Sequence, residues 1–460
     1  MIAAKKIYFI GIGGSGMAPM SLWLKSRGKD VCGSDISESV ITKNLRANGV
    51  SVQIGHKVNE ELKNCDLVVF SSAVKEDNEE LIFARANGKE IIKRAKMLGI
   101  MMAESKNSIA VCGSAGKSST TGFMASVLNA AKKDASVIVG GVFVGKESGM
   151  QIGKDDYFLA EADEYDKSFL EMHDMKLAIC TGIEEEHLDI YGNLEGVKNG
   201  FVCFFGGLRD DGVAVCNWDS EGVQEIYPLI KSRKVSFGLK DGADFCAKNI
   251  RYENGKTIFD VWNRNEFLGN AEIQLIGEHN VLNALSAIVA GLELGIDFKT
   301  AAKGANGFGG IKRRIEKTAV VGGITIINDY AHHPTKIAAT MSALQKIKTK
   351  TGRIIAIFQP HTYSRTKSFA KDFAEALENG SDFVLMTEIY AAREKQIEGI
   401  SEKSIAKFFK NENSKIVAKE NVVKECAKIA KSGDIVVIMS AGDLDEKIED
   451  LISELKNEEN

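Results

Sequence analysis

Short apolar runs that close on glycine, an acid or a histidine recur along the whole chain, with helix-like stretches between them. They read "KIYFIGIGG", "DVCGSD", "DLVVFSSAV", "SIAVCG", "YFLAEAD" and "LAICTGI", then "ITIINDY", "GRIIAIFQP", "DFVLMTEIY" and "DIVVIMSAGD". This alternation limits the fold to α/β architectures, because parallel neighbours need a crossover long enough to hold a helix. Ligand groups in such sheets sit just beyond the carboxyl ends of the strands. Nearly every polar cluster of this chain follows a run directly, so its chemistry is expected at those ends.

With 460 residues there is room for more than one core. The pattern divides into three α/β domains, residues 1–106, 107–312 and 313–460, with hinges near 106 and 312. The middle one includes a less regular β-rich stretch from about 233 to 276. A formal net charge of −4 gives no basic excess for nucleic acid, and no long apolar run suggests a membrane span. The start "MIAAKKIYFIGIGG" enters a strand at once instead of reading as a signal peptide. Eight cysteines lie scattered without a C-x-x-C pair, which argues against a zinc site or a disulfide framework and for a reducing cytoplasm.

Two glycine loops stand out. "GIGGSG" at 11–16 follows a strand, and Asp35 ends the next one. Gly11 and Gly13 suit a tight turn and close approach, Gly16 suits packing, and Asp35 suits a ribose hydroxyl, as in a dinucleotide fingerprint. A dehydrogenase is one reading, yet the loop recognises phosphate and sugar and not nicotinamide. "GSAGKS" at 113–118 lies between strand and helix, where backbone N–H groups, Lys117 and the Ser118 hydroxyl suit nucleotide phosphates and Mg²⁺. Val111 stands where the standard P-loop has its first glycine.

The middle segment adds Glu161, Asp163, Glu164 and Asp166 after one run, and Glu185, His187 and Asp189 after another. Oxygen ligands of this kind suit Mg²⁺ bridging phosphates. Asn280 and Asn283, three residues apart, can share one helix face or cap its first turn. Histidine is scarce, with seven in all, and His56, His187, His279, His332, His333 and His361 fall among small or polar neighbours at strand ends. Each is a candidate for chemistry or for a hydrogen-bonded structural role.

Taken in order, "GIGGSGM", "GSAGKSSTT", "EADEYD", "GIEEEHLD", "HNVLNALSA", "KRRIE", "NDYAHHPTK", "FQPHTYSRT" and "SAGD" resemble the Mur ligase family over essentially the full length. "DYAHHPT" and "FQPHTYSRT" look like the alanine-adding member, with the tripeptide-attaching recycling ligase as the nearest alternative. The resemblance implies a Rossmann-like UDP-binding domain, a central P-loop ATPase domain and a Rossmann-like C-terminal domain. It implies ATP-driven ligation of L-alanine to UDP-N-acetylmuramate, with Mg²⁺ or Mn²⁺, in a cytoplasmic monomer or homodimer.

Residue by residue, it implies that Gly11, Gly13, Gly14, Ser15 and Gly16 hold the UDP diphosphate, with Asp35, His56 and Ser71 near the nucleoside. Gly113, Ser114, Gly116, Lys117, Ser118 and Ser119 would meet ATP, with Asn280 and Asn283 at adenine and Arg314 and Asp329 completing the site. Ser118, Glu161 and His187 would ligate metal. His332, His361 and Arg365 would face the amino acid and the muramyl carboxylate and, with Lys117, carry the chemistry. The chain departs from the family pattern at Ala115, where histidine is general, at Gly182 in place of asparagine, and at Tyr165 in place of a small serine. A nucleotide-binding protein without catalysis would keep the loops and lose this constellation.

Overall fold

The computed structural model describes residues 2–14, 16–145, 149–253, 255–392 and 394–458. It divides into two compact units, Met1–Gly309 and Gly310–Asn460. Three sheets carry the fold, the first two in the first unit and the third in the second.

The first sheet is built from β1 (Lys6–Ile10), β2 (Asp30–Asp35), β3 (Ser51–Ile54), β4 (Leu67–Phe70) and β5 (Glu90–Lys93). All neighbours are parallel, in the order β3-β2-β1-β4-β5. The order reverses beside β1, which is where an open α/β sheet leaves its ligand crevice. The glycine loop occupies that end and feeds the helix Met17–Ser26.

The second sheet contains β6 (Asn107–Cys112), β7 (Ser136–Ile138), β8 (Met150–Gln151), β9 (Tyr157–Glu161), β10 (Met175–Cys180), β11 (Leu208–Asn217), β12 (Arg233–Gly238), β13 (Phe245–Glu253), β14 (Lys256–Asn263) and β15 (Glu266–Ile273). Its order is β15-β14-β13-β12-β11-β10-β6-β9-β7-β8. The stretch expected to be less regular and β-rich holds an antiparallel extension, β13 to β15, whose connections are too short for crossover helices.

The first two sheets lie in one compact unit and share one core. Trp23, on the helix after the glycine loop, meets Phe158 of β9 edge to face at 5.5 Å. Phe158 is fully buried, which contributes about 1.5–3 kcal/mol, and the aromatic pairing adds about 1 kcal/mol. Gly99 lets the helix Arg94–Ala103 lie directly on Glu171, since a Cβ there would sit 1.9 Å from its carbonyl oxygen. The Lys106 N–H is itself tied to Asp156 Oδ1 at 2.8 Å.

The second unit holds β16 (Glu316–Val321), β17 (Ile324–Asp329), β18 (Ile354–Gln359), β19 (Phe383–Met386), β20 (Ser414–Ile416) and β21 (Ile435–Ser440). Their order is β16-β17-β21-β18-β19-β20, parallel except for the β16–β17 hairpin. Successive side chains point to opposite faces. Ile326, Ile357, Val436 and Ile438 therefore enter one core, and Ile327, Phe358, Val437 and Met439 the other. Among the described residues no helix is long and apolar enough to cross a membrane.

Candidate active site

At the end of β1, Gly11 takes a positive φ of 80° and the Gly13 N–H donates to Asp35 Oδ2 at 2.7 Å. A Cβ on Gly13 would lie 2.8 Å from that oxygen. Asp35, expected at a ribose, thus uses one carboxylate oxygen to shape the loop. Ser15 lies outside the described residues. His56 Nδ1 is 2.8 Å from Glu80 Oε2 and 2.9 Å from Ser34 Oγ. Glu80 is fully buried and also accepts the Tyr8 hydroxyl at 2.6 Å. Burial, then the Glu80 hydrogen bond, push the Tyr8 hydroxyl well above its ordinary range. His56 is thereby anchored through Nδ1, leaving Nε2 as the nitrogen that can meet a ligand.

A cavity of about 330 Å³ opens beside this loop, lined by Gly14, Gly16, Ser71, Arg94, Glu161 and Asp163 among others. It brings together residues assigned separately to sugar and to metal. Glu161, expected as a metal ligand, accepts the Gly140 N–H at 3.1 Å through Oε2. Arg94 escaped the sequence reading because "KRAKML" looks like an ordinary solvated charge run. Its guanidinium lies so close to Gly16 that a Cβ there would be 3.2 Å from Nη1.

The second loop runs from β6 to the helix Lys117–Ala130. Gly113 and Gly116 have φ values of 126° and 84°. A Cβ on Gly113 would meet Thr181 Oγ1 at 2.3 Å and one on Gly116 would meet Asn283 Oδ1 at 2.6 Å, so neither position tolerates a side chain. The Ser114 N–H donates to the Gly182 carbonyl at 3.0 Å, and the Glu184 N–H donates to Ser114 Oγ at 2.8 Å. Ser118 is buried and Ser119 half-buried in the first helical turn, where free N–H groups and the helix dipole favour an anion. Asn283 accepts from Thr120 at 3.2 Å, and Asn280 donates to the Ile276 carbonyl at 2.8 Å.

Lys117 Nζ donates to the Gly113 carbonyl and to both oxygens of Glu164, each at 2.8 Å. Glu164, Glu186 and His187 offer ligand atoms within 4.8 Å of one another, and His187 Nε2 is 3.7 Å from Glu164 Oε1. Burial, and then the Glu164 charge, push the Glu186 carboxyl up. Two carboxylates and an imidazole suit a divalent cation, with the imidazole favouring Mn²⁺ over Mg²⁺. Tyr165, one of the departures from the family pattern, lies edge-on to the His187 ring at 5.2 Å. Among the four nearby acids the resemblance points to Glu161, and the fold adds Glu164.

In the second unit, Asp329 is buried and accepts the Ile315 and Ala331 N–H groups, each at 2.7 Å, and the Thr340 hydroxyl at 3.3 Å. Desolvation pushes its carboxyl up. Both oxygens are therefore engaged in holding the loop, while Arg314 remains exposed. His332 and His361 face each other with ring centroids 5.8 Å apart. His332 Nδ1 lies 2.7 Å from the Tyr330 carbonyl and His361 Nδ1 lies 3.1 Å from Arg365 Nη1. Burial lowers His332 to about 4, and burial followed by the Arg365 charge lowers His361. His333 instead meets Thr335 Oγ1 at 2.9 Å and the Phe369 ring.

Residues 6–106 match the Mur ligase family catalytic domain, 111–291 the Mur ligase middle domain and 313–442 the Mur ligase glutamate ligase domain. A UDP-N-acetylmuramate–L-alanine ligase from Dictyoglomus turgidum is 38% identical over 451 residues, covering 96% of each chain. One from Sorangium cellulosum is 36% identical over 457 residues, covering 98% of this chain and 97% of its own. Among solved structures, the UDP-N-acetylmuramate–alanine ligase of Thermotoga maritima superposes with a TM-score of 0.78 at 26% identity, covering 98% of this chain and 99% of its own. A murein peptide ligase from Psychrobacter arcticus shares the fold, with a TM-score of 0.66 at 24% identity and the same coverage.

Proposed function

This chain belongs to the Mur ligase family, and on that premise we propose that it joins L-alanine to the lactyl carboxylate of UDP-N-acetylmuramate at the expense of ATP, in peptidoglycan precursor synthesis. The observation that carries this reading is a pair of glycine turns, each leading into a helix, at the ends of two different sheets in one compact unit, one of them carrying Lys117. Two nucleotides fit that arrangement, whereas a dehydrogenase would leave the Lys117 loop without a task.

A carboxylate is a poor electrophile. The γ-phosphoryl group of ATP first passes to the lactyl carboxylate, giving an acyl phosphate, and the amine of alanine then displaces phosphate to form the amide. Phosphoryl transfer depends on in-line positioning and charge neutralisation, which is what Lys117, the loop N–H groups and the helix N-terminus offer. Ser118, Glu161 and His187, joined by Glu164, are the residues that would hold Mg²⁺ or Mn²⁺, which when bound offsets phosphate charge. Asn280 and Asn283 serve adenine. Gly11 to Gly16, Asp35, His56 and Ser71 serve the UDP-sugar. Residues 1–106, 107–312 and 313–460 act as UDP-sugar, ATP and amino-acid domains. We place the enzyme in the cytoplasm, where its eight unpaired cysteines stay reduced.

Incubation with ATP, Mg²⁺, UDP-N-acetylmuramate and L-alanine, L-serine, glycine or a muropeptide tripeptide tests the reading by product mass. A product one alanyl residue heavier, lost in Lys117→Ala, supports it. Addition of the tripeptide alone would assign the chain to recycling.

A further inference from the structure

The third sheet ends in an open strand. β20 closes the order β16-β17-β21-β18-β19-β20, so among the described residues only β19 pairs with it. The Val384 N–H donates to the Asn413 carbonyl and the Val417 N–H to the Met386 carbonyl, so the odd-numbered residues of this segment bond to β19. Ser414 and Ile416 turn their backbone groups the other way. The Ser414 N–H is taken by the Asn411 carbonyl at 2.9 Å, which leaves the Ser414 carbonyl and both backbone groups of Ile416 along the outer edge.

A groove of about 340 Å³ follows that edge between β20 and the helix Val422–Ile429, lined by Lys415, Ile416, Lys424, Glu425 and Lys428 among others. Lys415 pairs with Glu425 at 2.8 Å, so the helix runs back beside the strand. Glu425 also accepts Lys428 at 2.7 Å, and hydrogen bonds from these two lysines, Lys415 first, hold its carboxyl down at about 2. One acid thus faces three ammonium groups, and Lys424 has no ion pair among the described residues. An open strand edge beside a helix is a site for strand addition. The surplus of lysine selects an acidic segment to add there.

We propose that this groove docks an extended acidic segment of another protein, which adds as a strand to the edge of β20 with Asp or Glu at alternate positions facing Lys424 and Lys428 and apolar residues between them beside Ile416. The spacing of the lysines supports this register. Four residues apart on one helix face, they stand about 6 Å apart along the axis, close to the roughly 6.6 Å between alternate residues of a strand. Val417 shares a core with Val422, Val423 and Cys426, so the odd-numbered residues of the β20 segment face the helix, and Ile416, 37% exposed, faces the opposite side. A segment of alternating acidic and apolar residues therefore meets charge on one face and an exposed isoleucine on the other. None of these groups belongs to the histidine or nucleotide sites, and alanine ligation has no part in the docking.

The test titrates the full chain into a fluorescein-labelled peptide of alternating Glu and Val and follows anisotropy. Two control peptides carry the same residues with the acids and the valines in separate blocks, or Lys in place of Glu. The alternating acidic peptide should bind at least tenfold more tightly than either control. N-methylation of one alternate set of its amides should abolish binding and methylation of the other set should leave it, because only one set faces β20. Lys424→Glu with Lys428→Glu should weaken binding at least tenfold while the circular dichroism melt and the alanine-ligation assay stay as in the parent. Equal binding of the blocked peptide, indifference to both methylation patterns, or an unchanged affinity in the folded double variant would overturn the proposal. Binding of inorganic polyphosphate at these lysines, with none of the alternating peptide, would overturn it as well.

Discussion

Glu164 holds Lys117 through both carboxylate oxygens at 2.8 Å, in the space where the lysine of a phosphate loop would meet its nucleotide. The Glu164 side chain is 3% exposed and that of Lys117 18%. Removing one member of such a pair leaves an uncompensated charge, at a cost of about 3–5 kcal/mol, whereas replacing both is close to neutral. Lys117→Met should therefore lower the unfolding free energy of the first unit by about 3 kcal/mol, and Lys117→Met with Glu164→Gln should recover most of it. Urea titrations of the three proteins measure this. Equal stability in all of them would show that the pair is not energetically coupled.

Gly99 is a point of close backbone approach between the helix Arg94–Ala103 and the segment Tyr165–Glu171. Because a Cβ there would stand 1.9 Å from the Glu171 carbonyl oxygen, Gly99→Ala must push the helix away from the second sheet. The expected loss is about 1–3 kcal/mol, read as a fall in the melting temperature. An unchanged melting temperature would remove this contact from the account.

Asp329 satisfies the Ala331 N–H in the loop that carries His332 and the Ile315 N–H just before β16. Asp329→Ala leaves both without their acceptor, at about 1–3 kcal/mol each. Asp329→Asn keeps one carbonyl acceptor and should cost less. Chemical denaturation followed in the second unit ranks the two variants, and the opposite ranking would contradict the assigned role.

His332 ties stability to pH with a definite sign. Its folded value, about 4, lies below the ordinary 6.5, so between these limits the unfolded chain binds more protons. Stability then rises with pH through that window and is lost as pH falls through it. The slope of unfolding free energy between pH 4 and 6.5 should be shallower in His332→Asn than in the parent. Parallel curves would mean that the ring titrates alike in both states.

What could be read in advance follows from what each residue needs locally. Gly113 and Gly116 are legible because their positive φ values and the side chains pressed against them admit little else. The strand ends were legible because alternation and strand-end polarity are local signals. Glu164 was not, because spacing alone does not separate Asp163, Glu164 and Asp166; in the fold Glu164 is buried while Asp163 and Asp166 are exposed. Arg94 and Glu80 were invisible for a related reason, as each acquires its role from partners far along the chain. The core shared by the first two sheets includes Trp23 meeting Phe158, a tertiary contact that neither segment announces.

The central claim is tested most directly by following phosphate release from ATP while L-alanine and UDP-N-acetylmuramate are supplied separately and together. Sustained release only when both are present, with one phosphate per alanylated product and none from Lys117→Ala, is the result this account predicts. Release that ignores either substrate, or binding of both nucleotides with no alanylated product, would contradict it.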